Sequence, residues 1–97
     1  MPTSPVDTGT GTETRTLTVR YFAAAKAAAG TAEEKVELPD GATVADAVTA
    51  IRDAHGPELG RVLERCSFLL DEVAVRDRST ALGAASALDV LPPFAGG

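Results

Sequence analysis

The residues of this chain with the clearest chemical potential stand at its end, in "VLPPFAGG", residues 90–97. Two closing glycines arise by chance in well under about 1% of chains at a glycine usage of about 7%. Pro92 and Pro93 favour extended polyproline geometry, which carries the chain stiffly away from the fold. Phe94 is a large apolar anchor that needs a partner to cover it. Ala95, Gly96 and Gly97 have almost no side chain and would pass through a narrow channel. Six residues from Pro92 onward span about 20 Å, enough to deliver the Gly97 carboxylate deep inside another protein. A carboxylate is inert until it is made an acyl donor. The chain has no phosphate-binding loop, so activation by adenylation is expected from a separate enzyme that uses ATP. The activated acyl group then goes to an amine, as in a protein modifier, or to sulfur, giving a thiocarboxylate.

The remaining reactive residues read as structural. Gly9 and Gly11 in "TGTGTE" have neither a strand before them nor a helical pattern after, so they make no phosphate cradle. His55 follows an apolar-periodic stretch and suits the negative end of a helix. Cys66 opens an apolar run, as buried free cysteines do, and Arg65 alone does not make it a reactive thiolate. Glu33-Glu34 and Asp71-Glu72 are sequence neighbours, which a strand would turn to opposite faces, so they read as solvated charges. No triad and no metal-ligand spacing is present, and no cofactor is expected to be bound by the chain itself.

Composition narrows the partners. With 97 residues the chain makes one domain, and its net charge of −5 comes without any basic cluster. Nucleic acid is therefore not an expected partner, since phosphate binding needs a basic footprint. A basic surface on another protein suits it better. A single cysteine forms no intramolecular disulfide. No apolar run approaches the roughly 20 residues that cross a bilayer. The opening "MPTSPVDTGTGTETRT" has no basic and apolar regions of a secretory signal, so a cytoplasmic protein is expected.

The elements that must hold the tail follow from periodicity. Residues 1–14 are rich in Thr, Gly, Pro and Ser and read as a disordered extension. "TLTVRYF" alternates with period two, as a strand does. "AAAKAAAG" is a short helix closed by Gly30, and "EEKVEL" a second strand ended by Pro39-Asp40-Gly41. "TVADAVTAIRDAHG" is the main helix, capped by Thr43 with Asp46 three residues on. Pro57 opens another helix with Leu59, Val62 and Leu63 as its stripe. "CSFLLDEVAV" reads as strand with a bend at Asp71-Glu72, one helical turn is expected over residues 80–82, and "LDVL" is the last strand. This order predicts an α+β fold of the β-grasp (ubiquitin-like) kind, a mixed sheet of four to five strands crossed on one face by one main helix. The domain is expected over residues 15–91, with residues 92–97 as a flexible Gly-Gly tail.

"VRYFAAAKAAAG", "GATVADAVTAI" and "VLPPFAGG" together resemble the MoaD-type sulfur carriers, the small subunits of molybdopterin synthase in the ubiquitin-like ThiS/MoaD family. The likeness covers residues 16–97, and Phe22, Lys26 and the "PP-x-x-GG" ending carry most of it. The resemblance implies that an E1-like MoeB-type enzyme adenylates Gly97 and converts it to a thiocarboxylate. It implies further that the tail enters a MoaE-type large subunit and donates sulfur in molybdenum cofactor biosynthesis. Phe22, Val75 and Leu91 are then partner-binding residues, with Pro92, Pro93, Phe94 and Ala95. Lys26 stands where arginine is common, keeping the charge but not the two-pronged fork. "DEV" replaces a frequent Asn-Gly turn, and "SALDV" a frequent Gly-Asp-Glu. A carrier for cysteine or thiamine-thiazole synthesis, a ubiquitin-like modifier, and a plain interaction module with an idle tail remain the alternatives.

Overall fold

The computed structural model describes residues 13–93. Strand β1 (Thr14–Tyr21) leads into helix α1 (Ala23–Ala29) and strand β2 (Glu33–Pro39). Helices α2 (Val44–His55) and α3 (Pro57–Leu63) follow, then strands β3 (Ser67–Leu70), β4 (Val73–Ala74) and β5 (Ala87–Leu91). The five strands make one mixed sheet in the order β2-β1-β5-β3-β4. The first and last strands pair in parallel at its centre, Tyr21 beside Val90, and every other pairing is antiparallel. This is the β-grasp arrangement.

Alternation along the strands divides the sheet into two faces. Leu17, Val19, Tyr21, Phe68, Leu88 and Val90 are buried and form one face of the core. Val44, Ala47, Val48 and Ile51 of α2, Leu59 and Leu63 of α3, and Ala25 of α1 close over it. Three helices therefore complete the core, the two short ones and the main one that were expected, α2 being the longest at 12 residues.

The helix ends obey local chemistry. The Thr43 hydroxyl accepts from the Asp46 N–H at 3.2 Å, and the Asp46 carboxylate accepts from the Thr43 N–H at 2.9 Å, a complete capping box. Two further donors of the first turn of α2 are met by a distant segment, Val44 N–H on the Thr80 carbonyl and Ala45 N–H on that of Arg78. Gly30 closes α1 in the left-handed conformation at φ 77°.

Residues 80–82 are not a helical turn. Ala81 bridges to Thr43, the Leu82 N–H donates to the Ala42 carbonyl, and Leu82 is buried. Arg15 ties the same loop down by donating to the carbonyls of Gly83 and Ala85. Asp71 and Glu72 lie in a two-residue turn with positive φ at both, 47° and 71°, the backbone that Asn-Gly usually supplies between paired strands. The departure from Asn-Gly thus changes residue type and not turn geometry. Asp71 is also no idle charge, since its Oδ1 accepts from the N–H groups of Ser86 and Ala87, both at 2.9 Å.

Candidate functional site

The tail leaves the sheet at the end of its central strand. β5 finishes at Leu91, which lies opposite Ser67 of β3, and Pro92 is still buried while Pro93 is exposed. Because β1 and β5 run parallel with Tyr21 beside Val90, Phe22 comes level with Leu91 at this exit. The Phe22 N–H donates to the Val90 carbonyl at 3.2 Å, which fastens it to β5. Its own carbonyl accepts from the N–H groups of Ala25 and Lys26, so it also caps α1.

Phe22 is held there yet left 42% exposed, one of two large hydrophobic residues so placed among the described residues. Ala23, directly after it, has φ 51°, a conformation that costs a residue with a Cβ about 1–2 kcal/mol. That sharp turn between strand and helix keeps Phe22 at the surface beside Leu91 and brings exposed Lys26 to the same end. Phe22, Lys26, Leu91, Pro92 and Pro93 are thus gathered around the exit. Val75 is not with them. It follows β4, two strands from β5, donates its N–H to the Phe68 carbonyl and packs against the core on the helix side. There it lines a shallow groove of about 280 Å³ with Leu70, Val73 and Arg76. Phe94, Ala95, Gly96 and Gly97 lie outside the described residues.

Two polar arrangements adjoin the exit that sequence reasoning did not find. Asp89 is 6% exposed although it lies on the face of the sheet away from the helices. Arg20 answers it with two bonds, Nε to Oδ1 at 2.5 Å and an Nη to Oδ2 at 3.0 Å. That hydrogen bond and the carboxylate charge push the guanidinium further up from its already high value. The one sequence signal was an aspartate inside the apolar run "LDVL". On the helix face, Glu34 accepts from the Tyr21 hydroxyl and meets His55 Nε2 at 2.6 Å. Glu34 is therefore a half-buried tie between β1, β2 and α2, and not the solvated charge its sequence suggested. His55 reaches beyond its own helix end to the sheet.

Cys66 is buried, its Sγ donates to the Val62 carbonyl, and burial pushes its thiol up against the opposing pull of Arg78. Among the described residues no group of three or more His, Cys, Asp or Glu could hold a metal. No helix there is long and apolar enough to cross a membrane.

The ThiS family model matches residues 19–97, about four fifths of the chain. The chain belongs to the ThiS family. The curated molybdopterin synthase sulfur carrier subunit of Chlamydomonas reinhardtii is 37% identical over 82 residues, 84% of this chain and 98% of that protein. This member of the ThiS family is thus a homologue of a molybdopterin synthase small subunit and a sulfur carrier by family. Among solved structures it resembles the small archaeal modifier protein 1 of Haloferax volcanii, with TM-score 0.74 and 28% identity over 86% of this chain and all of that one. A chain of the complex of subunits 1 and 2 of the molybdopterin-converting factor from Helicobacter pylori shares the fold, with TM-score 0.57 and 23% identity over 86% and 100%.

Proposed function

We propose that this ThiS-family protein is the sulfur-donating small subunit of a molybdopterin synthase, acting in the cytoplasm through its C-terminal Gly97. The observation that carries the reading is the exit of the tail. A fixed, exposed Phe22 stands level with the last residue of the central strand, and two prolines lead the chain away from it. Partner surface and reactive end are then presented side by side. In the reaction, one carboxylate oxygen of Gly97 attacks the α-phosphate of ATP bound by an E1-like MoeB-type enzyme. Pyrophosphate leaves and an acyl-adenylate forms. A persulfide on a donor then displaces AMP to give an acyl disulfide. A second thiol attacks the donor's own sulfur in that bond, forming a disulfide with the donor and releasing the thiocarboxylate. Residues 92–97 insert into a MoaE-type large subunit, where Gly96 and Gly97 fit a passage too narrow for a Cβ. The folded body supplies recognition and no catalytic group.

The test is the intact mass of the protein after incubation with an activating enzyme, ATP and a sulfur donor, beside a form lacking Gly97. A gain equal to one oxygen replaced by sulfur, in the intact chain only, is expected. No gain with an enzyme competent on its own carrier would overturn the reading. The likeness to an archaeal modifier protein favours a second reading, transfer of the same acyl group to lysine amines. Its mark would be branched Ala-Gly-Gly remnants on lysines of cellular proteins after chymotryptic cleavage at Phe94.

A further inference from the structure

We infer that β2 is a pairing edge for a second copy of this chain, joining two sheets in one antiparallel register about Val36. β2 is a seven-residue edge strand, whereas the opposite edge, β4, has only two residues. The pairing with β1 decides which way its backbone faces. The Tyr21 N–H donates to the Ala32 carbonyl and the Asp40 N–H to the Glu13 carbonyl, both at 2.8 Å. In an antiparallel ladder these bonds fix the parity, so even-numbered residues of β2 turn their N–H and C=O groups to β1. Glu33, Lys35 and Glu37 turn theirs outward, and all three side chains are exposed.

Charge then selects the register. With Val36 opposite Val36, Lys35 lies opposite Glu37 of the second copy and Glu37 opposite its Lys35. Each such pair exchanges two backbone hydrogen bonds and sets opposite charges side by side. Moving the strands by two residues brings Lys35 opposite Lys35 and Glu33 opposite Glu37, so every facing pair repels. A further shift in the same direction pairs Lys35 with Glu33, whose carbonyl already accepts the Thr31 hydroxyl at 2.9 Å. In the favoured register the pairing stops at Pro39, which has no N–H and whose carbonyl takes the Ala42 N–H. The contact is therefore bounded, a weak dimer and not a growing ribbon. It leaves the end of β5, two strands inward, uncovered, and it does not depend on the sulfur-carrier reading.

Sedimentation velocity of the full chain at rising concentration tests this. A reversible monomer–dimer equilibrium is expected, and Lys35→Glu raises its dissociation constant about tenfold or more, because both facing pairs become repulsive. Lys35→Glu combined with Glu37→Lys restores the wild-type constant to within about threefold. Both positions are exposed, and circular dichroism confirms that each variant is folded. A monomer up to millimolar concentration overturns the inference. So does a dimer indifferent to Lys35→Glu, or a folded double variant that does not recover. Rescue of Lys35→Glu by Glu33→Lys instead would assign the shifted register and reject this one.

Discussion

The hydroxyl of Tyr21, the buried last residue of β1, donates to the carboxylate of Glu34 on β2. Burial first, and then this hydrogen bond and the nearby carboxylate charge, push the phenol well above its ordinary range. A folded-state value above the unfolded one contributes stability that is fully present below the unfolded phenol value, about 10. That contribution is lost as pH rises from there through the folded value. Tyr21 is the only tyrosine in the sequence, so its absorbance reports one group. Tyrosinate absorbance should appear together with loss of the circular dichroism signal on alkaline titration. A phenol that titrates near its ordinary value in an intact fold would contradict this.

The hairpin turn offers a contrast between neighbours. Glu72 holds φ 71° with a Cβ that gains nothing there, so Glu72→Gly should stabilise the protein by about 0.5–1 kcal/mol. Asp71→Gly should lower stability, because it removes the acceptor of the Ser86 and Ala87 N–H groups. Urea unfolding of both variants separates the two effects by sign.

Phe22 should matter to partners more than to folding. Phe22→Ala is expected to change unfolding free energy by less than about 1 kcal/mol and to weaken large-subunit binding at least about tenfold. Titration calorimetry beside thermal unfolding checks both. Equal losses in each would make Phe22 a core residue and remove it from the recognition surface.

At the tail, Gly96→Val, or one residue added after Gly97, should abolish sulfur transfer with thermal stability unchanged. Single-turnover assays with preformed thiocarboxylate read the valine variant directly. Undiminished transfer would remove the narrow passage from the mechanism.

Cys66 should be a poor nucleophile. Because burial raises its thiol and covers it, alkylation in the native protein at mildly alkaline pH should be about tenfold or more slower than for an unfolded chain. Mass spectrometry over time follows this, with denaturant as the control.

What the sequence showed of this fold was its local chemistry. Thr43 with Asp46, Pro57 at a helix start and Gly30 at a helix end act within one turn, and each stands where its residue type requires. The ties that escaped join distant residues. Glu34 meets partners 13 positions before it and 21 after it, and Arg20 and Asp89 are 69 apart. Ala81 reads as turn-forming until Thr43 arrives beside it. The bend at Asp71-Glu72 was legible, but its positive φ at both residues was not, because neither is the glycine or asparagine that announces it. At the exit, the prolines themselves predicted where β5 would end, because proline cannot donate to a ladder. Only the sheet order and parallel register showed Phe22 level with Leu91 and Val75 apart from both.

The pairing of β1 with β5 sets an order of events for a newly made chain. The centre of the sheet is built from its two ends, so β1 has nothing to lie against on one side until Ala87–Leu91 has been synthesised. Contacts between residues so far apart close slowly, and a chain stopped short of β5 exposes both the β1 edge and the apolar face it should share. Presentation of the tail is thereby coupled to completion of the fold. Phe22 takes its place at the exit only when Val90 accepts its N–H, so under the proposed function a misfolded chain would offer a partner the end without the surface beside it.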